Sequence, residues 1–558
     1  RQEASLSAVF RRFDYYSDFM RFDTQNSLPN NSFHNATYSG NFGWEPKGTT
    51  SVRFTIHHDA TGLGDSNALY LYGVPDDSFQ RQLDTYLGIT AQNQTTHRWH
   101  NLIRLTSTGV NFHFDNPSPT GEPFNPLGFG PNYLGEPVTI CGANGFCANG
   151  QAILDFGGIY PQLFVSRTGV QSVYAQSDYA FSPSTGATAG FEYDHEYGFT
   201  QASGAPRSTS TRNNYNTFLE IHAAVWQRAF ATAGVGLEDN AIFGFAATPR
   251  VSGAYYLRQP TSTHFLGHTK LRFNFGTGIK EPSIFDQGSS LYTLLSALPQ
   301  SAELIRRYHI SQVGAERSRT LDAGVEQGFW GERAWLGLTL FHDRFFDLID
   351  YVPQSALPRL GVPAAVVAEA PNGATINSDS FRSQGAEAEV DASLTRNWIL
   401  KADYTYLDAV VTTSFASSAL FPAINPIFPN IPIGVFSPLV GARPFRRPPH
   451  TGSLFVGYMR PHYGFDLTGY FVSRSDHSTY LTDGYFGNTM LLPNRDLLMG
   501  YQLVDFSGWY DLHRGIKFYT SMGNLLSQHY MAAFGYPALP FTFRTGVKFT
   551  LGGEGFRW

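Results

Sequence analysis

Apolar and polar residues alternate without a break in the sequence FTFRTGVKFTL, which runs from Phe541 to Leu551. A β-strand places successive side chains on opposite faces of its sheet, so this segment has one apolar face and one polar face. The apolar face is Phe541, Phe543, Thr545, Val547, Phe549 and Leu551, and the polar face is Thr542, Arg544, Gly546, Lys548 and Thr550. The pattern predicts a strand that separates an apolar medium from water.

The same alternation recurs along the chain in roughly twenty other segments. Lys270–Gly276 has Leu271, Phe273 and Phe275 on one face and polar residues on the other. Gly385–Ala392 alternates small apolar residues with acidic ones. No helical run separates these segments. The sequence therefore predicts an all-β protein whose antiparallel strands close into one large transmembrane barrel.

The composition of the 558-residue chain agrees with a barrel that crosses a membrane. Only 15% of the residues are charged and 15% are aromatic, whereas soluble domains have about 25% charged residues. Mean hydropathy is nevertheless −0.22, and no apolar run reaches the roughly 18 residues that a spanning helix needs. Side chains that face lipid and side chains that face a wet lumen average out in this way. The net charge of −6 gives no reason to expect a nucleic-acid partner.

Short and long connections alternate between the predicted strands. Short turns are expected near Gly331–Arg333 and Pro461–Tyr463, and long connections near Lys280–Ala315, Tyr351–Ser378 and Asp408–Phe445. In outer-membrane barrels the short turns face the periplasm and the long loops face outside, so the alternation orients the chain. About 21 strands are predicted, and the first one runs towards the periplasm.

The odd strand number bears on what precedes residue 1. Bacterial single-chain barrels have an even number of strands, so we expect one further strand before Arg1 and a barrel of about 22 strands. Barrels of that size have a plugged lumen, and we therefore expect an N-terminal plug domain to be absent from this sequence as well. Residues 1–558 then form a single barrel domain.

Two cysteines, Cys141 and Cys147, lie six residues apart. A disulfide that closes this small loop fits an oxidising compartment. A pair of metal ligands is the alternative, but no third or fourth ligand is evident nearby. We predict the disulfide and no metal site.

Charged residues on the polar faces of the strands are the candidate lining of the lumen. Because lipid offers no hydrogen bonds, a spanning sheet must close on itself and turn these faces towards a wet interior. The predicted lumen residues are Arg53, Arg272, Glu387, Glu389, Lys401, Asp403, Arg544 and Lys548. Their acidic pairs are explained by this position, and no nucleophile elbow, phosphate loop or metalloprotease motif is found, so we predict no enzyme and no cofactor.

A series of short motifs runs through the second half of the chain. The motifs are FGTGIKEP (Phe275–Pro282), ERS (Glu316–Ser318), GAEAE (Gly385–Glu389), YTYLD (Tyr404–Asp408), RRPPH (Arg446–His450) and GYP (Gly535–Pro537). In this order they resemble the β-barrel of TonB-dependent outer-membrane receptors of the siderophore and cobalamin type. The chain departs from the family at Leu526-Ser527, where Phe-Asp is commoner, and in its extension Gly552–Trp558 beyond the final strand.

The resemblance implies an active importer in the bacterial outer membrane, surrounded by outer-membrane lipid. Its small-molecule ligand would be a scarce nutrient too large for porins, with a ferric siderophore as first choice and cobalamin as second. The family pattern further implies that the TonB complex acts through the missing plug region and that the lumen residues contact the plug. It also implies that the barrel-assembly machinery recognises the C-terminal strand. A passive outer-membrane pore or secretion channel is the alternative.

The predicted outer loop Asp408–Phe445 is unusually apolar and rich in proline. Exposed apolar patches usually mark interaction sites. One interpretation is therefore that this loop folds over the mouth and contacts an organic ligand through Phe421, Phe428 and Phe436. The other is that it packs against neighbouring loops or the outer leaflet. A second apolar loop segment, Ser289–Ile310, is expected to form short helices that pack locally.

Overall fold

The computed structural model describes residues 1–66, 73–124, 132–141, 147–154, 160–204, 207–296, 298–352, 357–360, 362–369, 374–413, 440–482, 489–513, 515–533 and 535–552. Strands dominate these ranges. Those of the first half are β1 (Gln2–Phe10), β2 (Phe13–Thr24), β3 (Phe33–Lys47), β4 (Thr50–Gly64), β5 (Phe79–Thr96), β6 (Trp99–Asn116), β7 (Glu122–Phe124), β8 (Asn132–Cys141), β9 (Cys147–Leu154), β10 (Gln162–Ser182), β11 (Thr185–Ala202), β12 (Ser208–Val225), β13 (Ala229–Asn240) and β14 (Gly244–Arg258).

The second half of the chain continues in the same way and adds short helices. Its strands are β15 (Leu266–Lys280), β16 (Glu316–Phe329), β17 (Ala334–Val352), β18 (Ala374–Ser393), β19 (Trp398–Thr413), β20 (His450–Met459), β21 (Tyr463–Val472), β22 (Ser475–Thr482), β23 (Thr489–Leu498), β24 (Tyr501–His513), β25 (Ile516–Gly523), β26 (Met531–Ala533), β27 (Tyr536–Pro537) and β28 (Thr542–Phe549). Its helices are α1 (Ile284–Gly288), α2 (Leu291–Ser296), α3 (Ala302–Arg307) and α4 (Ala364–Ala368), with 3₁₀ turns η1 (Pro299–Ser301) and η2 (Leu357–Leu360). None of the helices in the described part of the chain is long and apolar enough to cross a membrane.

In the described ranges, 21 strands form one continuous sheet, made of β1–β6, β10–β21, β24, β25 and β28. Neighbouring strands of this sheet pair antiparallel throughout. The all-β class and the count of about 21 antiparallel strands predicted from the sequence are therefore confirmed.

One face of the sheet carries the large apolar side chains. In β28, Phe543 and Phe549 are 56% and 68% exposed, and in β17 Leu340 is 60% exposed. A row of exposed aromatic and aliphatic residues on this scale is unfavourable in water and favourable against hydrocarbon. The two-residue period of the sequence is thus expressed as a lipid-compatible face, which we call the apolar face, and an opposite polar face.

The two ends of the sheet lie beside each other. The guanidinium carbon of Arg544 in β28 lies 5.6 Å from the ring centroid of Phe22 in β2. Because 21 strands alternate in direction, the first strand β1 and the last strand β28 run the same way. Within the described residues neither of these two strands has a second hydrogen-bonded neighbour.

The connections between strands differ at the two ends of the sheet. At one end, the short-turn rim, they contain two to seven residues; at the other, the long-loop rim, they contain three to 45. Each of the seven tryptophans in the described ranges lies within four residues of the short-turn rim, at positions 44, 99, 226, 330, 335, 398 and 509. Tryptophan favours the interface between membrane and water, so this rim has the composition of an interfacial girdle.

Two of the long loops join in a second sheet. Strands β7, β8 and β9 from the loop after β6 and strands β22 and β23 from the loop after β21 form five strands in the order β23-β22-β9-β8-β7. The connecting pair is Thr482 with Gln151. In the β8–β9 hairpin the backbone register places Cys141 directly opposite Cys147, and the disulfide between them stays a prediction.

A single glycine in the motif GAEAE tests the tight packing of the main sheet. A Cβ atom on Gly385 would collide with the backbone oxygen of Tyr406 on the neighbouring strand. We expect Gly385→Ala to force β18 and β19 apart and to lower the free energy of unfolding by about 1–3 kcal/mol. Urea unfolding of the barrel in detergent would measure this change.

Gly109 in β6 provides the control, because a Cβ atom there meets no atom within 4 Å. Gly109→Ala is expected to change the unfolding free energy by less than about 0.5 kcal/mol. Equal losses for the two variants would show that the close approach at Gly385 does not constrain the sheet.

Candidate functional site

The polar face of the sheet contains a charged cavity of about 420 Å³. Strands β15–β18 supply its lining: Arg272, Asn274, Asp322, Thr339, Phe341, Asp343, Glu387 and Glu389. The side-chain amide of Asn274 donates to Asp322 at 2.7 Å, and Arg272 donates to the hydroxyl of Thr339 at 2.5 Å. Four carboxylates face one guanidinium, so the cavity favours cationic or hydrogen-bond-donating groups.

The other predicted lumen residues do not line this cavity, although Asp403 lies directly opposite Glu389 on the adjacent strand. Several of them pair with residues one or two strands away. Arg53 donates to Asp14 at 2.9 Å, and Lys401 lies 3.1 Å from Asp391. Asp403 accepts a hydrogen bond from Ser453. These contacts are local to the wall. Of the predicted set, Arg272, Glu387 and Glu389 line the charged cavity.

A buried charged cluster, absent from the sequence prediction, lies on the polar face near the long-loop rim. Arg212 of β12 donates from Nε to Glu196 of β11 at 2.7 Å and from Nη1 to the carbonyl oxygen of Pro282 at 2.6 Å. The Arg212 side chain is only 5% exposed. A charge buried this deeply is tolerated because its donors are satisfied. Arg212 thus ties the loop that follows β15 to the wall formed by β11 and β12.

Glu281 completes this cluster from the loop side. Its Oε2 accepts from Asn214 at 2.9 Å and from Asn240 at 2.6 Å, and it lies 3.5 Å from Arg212. Burial, reinforced by the Glu196 carboxylate and only partly offset by Arg212, raises the pKa of Glu281 to about 7. The Glu281 carboxyl, which helps to hold the loop, therefore titrates near neutral pH.

The same loop packs into a small apolar core with its neighbour. Leu291 and Leu295 of α2 meet Val352 at the end of β17, together with Leu357 and Val366 from the loop between β17 and β18. The backbone of Ser289 accepts a hydrogen bond from Thr375 at 2.9 Å. The prediction of short helices that pack locally in Ser289–Ile310 is confirmed. Together, the described parts of residues 281–315 and 353–376 form a structured cap, the loop cap, at the long-loop rim.

A second buried cluster lies near the short-turn rim. His268 lies between Glu326, at 2.7 Å, and Glu332, at 2.5 Å, and Glu326 also pairs with Lys270 at 2.7 Å. Burial would raise the pKa of Glu332, but hydrogen bonds from His268 and from the backbone N–H of Thr261 outweigh it and lower that pKa. Through Glu332 and Thr261, this cluster holds the turn between β16 and β17 against the connection between β14 and β15.

The apolar-loop residues Phe421, Phe428 and Phe436 lie outside the described residues, so their role as ligand contacts stays a prediction. Sequence reasoning missed Glu196 and Arg212, which no local pattern marks. A partial signal existed for Glu281, because it lies in the motif FGTGIKEP.

Comparison with known proteins assigns the family. The family model for the TonB-dependent receptor-like β-barrel matches residues 3–525. The chain belongs to this family, and the resemblance seen in the sequence motifs is confirmed. No curated protein matches the sequence.

Solved structures share the fold at low sequence identity. Pseudomonas aeruginosa FpvA bound to a heterologous pyoverdine and iron is 10% identical, with 98% of this chain and 69% of that chain covered and a TM-score of 0.68. The copper transporter OprC is 13% identical, with coverage of 98% and 78% and a TM-score of 0.63. A mutant of the ferric enterobactin receptor PfeA from P. aeruginosa is 12% identical, with coverage of 98% and 77% and a TM-score of 0.63. At these identities the likeness shows the fold alone.

The titration of Glu281 gives a pH-dependent prediction. The folded-state pKa of about 7 lies above the unfolded value, so this carboxyl stabilises the fold below the unfolded pKa and loses that contribution as the pH rises to about 7. The side chain is one-third exposed, so solvent screens part of the effect. Between the unfolded pKa and about pH 7, we expect the unfolding free energy of wild type to fall by about 1–2 kcal/mol more than that of Glu281→Gln. Urea titrations at several pH values would measure the difference.

Glu303→Gln provides the control, since Glu303 lies on α3 with its side chain 70% exposed. That variant should follow the wild-type pH dependence. If wild type and Glu281→Gln show the same dependence, Glu281 does not carry the proton.

Proposed function

We propose that this chain is the barrel of an active importer in the bacterial outer membrane, energised by TonB and specific for a scarce nutrient. One observation carries the proposal: the barrel wall of a receptor family has loops whose described residues pack into a structured cap at the long-loop rim. A cap anchored to the wall by Arg212 and Glu281 supplies a shaped surface for a ligand, whereas a passive pore needs an open mouth.

The orientation follows from the two rims. The long-loop rim faces outside and the tryptophan-rich short-turn rim faces the periplasm, as in other outer-membrane barrels. Outer-membrane lipid covers the apolar face, and the last strand presents the signal for the barrel-assembly machinery. These assignments rest on the family and on the distribution of side chains.

The plug would occupy the lumen and contact the polar face. Arg272, Glu387 and Glu389, which already line one cavity, are the first candidates for its hydrogen bonds and ion pairs, followed by Arg53, Lys401, Asp403, Arg544 and Lys548. Barrels of about 22 strands have a plugged lumen. TonB would act on this plug from the periplasm.

The ligand class is a ferric siderophore first and cobalamin second. Structural relatives include a receptor in complex with a pyoverdine and iron, a ferric enterobactin receptor and a copper transporter. These names support metal-containing ligands as the first compounds to test. The protein is expected to carry out transport without catalysis.

Uptake by cells tests the proposal directly. Cells that carry the full-length gene are expected to accumulate labelled ferric siderophore or cobalamin, and this uptake should vanish when TonB is deleted. Measuring a small uncharged solute in parallel provides the control. Entry of many small solutes regardless of TonB would identify a passive pore or secretion channel instead.

Deleting residues 421–440 tests the apolar loop. If Phe421, Phe428 and Phe436 contact the ligand, the deletion should weaken ligand binding to cells by at least about tenfold, because it removes several apolar contacts. Surface exposure of the receptor, measured with an antibody to another loop, controls for assembly. Unchanged affinity at equal surface density would assign the loop to packing alone.

A further inference from the structure

A cluster of three arginines lies on the apolar face of the sheet, near the long-loop rim. Arg317 and Arg319 are in β16 and Arg344 is in β17; all three are exposed. They line a cavity of about 550 Å³ together with parts of β14 and β15. We call this group the arginine site. It is separate from the charged cavity and from the buried cluster of Arg212 and Glu281, which lie on the polar face.

The register of the strands places like charges side by side. Arg319 is directly opposite Arg344, and Arg317 is directly opposite Phe346. Side chains directly opposite each other on antiparallel strands have Cβ atoms about 5 Å apart, and like charges in such pairs destabilise the sheet. An arrangement of this kind becomes favourable when an anion lies between the two guanidinium groups.

The protein itself supplies little compensating charge at this place. Among the described residues, no carboxylate oxygen lies within 4.0 Å of a guanidinium nitrogen of Arg317, Arg319 or Arg344. Asp347 also lines the cavity, so the lining carries three positive charges and one negative charge. Arg344 donates from Nε to Nε2 of His342 at 3.3 Å, which leaves its terminal nitrogens available.

The position of the cluster identifies the kind of anion. On the same face, the residues next to it towards the short-turn rim are apolar and exposed: Leu321 of β16 at 41%, Leu340 of β17 at 60% and Phe275 of the adjacent β15 at 37%. The arginine site therefore lies where the hydrocarbon-facing band ends at the outer side. Lipid headgroups occupy this level of a membrane.

The geometry of the side chains suits phosphate. A guanidinium presents a planar fork of donors that matches phosphate oxygens in two-point contacts. The guanidinium of Arg319 also lies 5.7 Å from the ring centroid of Phe346, and this cation–π contact restrains its orientation. Thr277 lies opposite Arg319 on the other neighbouring strand and adds a hydroxyl to the lining.

We propose that Arg317, Arg319 and Arg344 form a binding site for the phosphate groups of a phosphorylated lipid in the outer leaflet of the membrane. The acyl chains lie along Leu321, Phe275 and Leu340, and the phosphate neutralises the Arg319–Arg344 pair. The site fixes a lipid to the outside of the wall beneath the loop cap. It requires the membrane location of the proposed function but not active import.

Equilibrium binding of fluorescent lipids to the purified barrel in detergent tests this site. The probes are diphosphorylated lipid A, the same lipid without its phosphates, and inorganic phosphate as a competitor. We expect the phosphorylated lipid to bind at least about tenfold more tightly than the dephosphorylated one. Arg319→Gln/Arg344→Gln should remove most of this preference, and Arg319→Lys/Arg344→Lys should retain part of it because the charge persists.

Arg306→Gln/Arg307→Gln is the matched control, because it removes two positive charges from α3 in the loop cap. This variant should bind the phosphorylated lipid like wild type, and urea unfolding should confirm that every variant is folded. Equal affinity for the two lipids, equal loss in the control variant, or binding of inorganic phosphate as tight as that of the phosphorylated lipid would each overturn the proposal. If the protein transports its ligand but shows any of these results, the lipid site is overturned while the proposed function stands.

Discussion

The hydrogen bonds between neighbouring strands are the constraint on which the rest of the molecule depends. A lipid environment cannot satisfy a backbone N–H or C=O group, so each strand must be paired on both sides. The long antiparallel ladders, such as the 18 paired positions between β6 and β10, meet this requirement locally. The pairing of the strands also determines which face each side chain occupies, because successive side chains point to opposite faces. The apolar and polar faces therefore follow directly from the sequence.

The partners of charged residues differ between the polar face, the apolar face and the long-loop rim. On the polar face, Arg53 pairs with Asp14 two strands away and Lys401 pairs with Asp391 on the neighbouring strand, as expected for groups that water screens only in part. Near the long-loop rim, burial makes pairing obligatory, and Arg212 has Glu196 and a backbone oxygen as acceptors. The arginine site on the apolar face has no such internal partners within the described residues. The difference indicates that its partner comes from the surroundings.

The sequence predicts the wall far better than the loop cap. A period of two residues assigns Phe543 and Leu340 to the apolar face, and turn residues place the short-turn rim, because both signals act over a few neighbouring positions. The pattern does not say which distant residues meet. Arg212 reaches Pro282 across 70 residues, and Gln151 pairs with Thr482 through two loops that lie on opposite halves of the sequence. Such contacts depend on how the sheet curves, and no local pattern encodes that curvature.

The hydrogen-bonding constraint matters most at the seam between β1 and β28, the two edge strands of the sheet. Arg544 contacts Phe22 across it, yet the two edge strands run in the same direction and, in the described residues, each is paired on one side only. An unpaired backbone group costs several kcal/mol in hydrocarbon, so an edge of this length is incompatible with lipid. Because β1 and β28 run the same way, these two edges cannot pair with each other in the antiparallel pattern that joins all other neighbouring strands of the sheet.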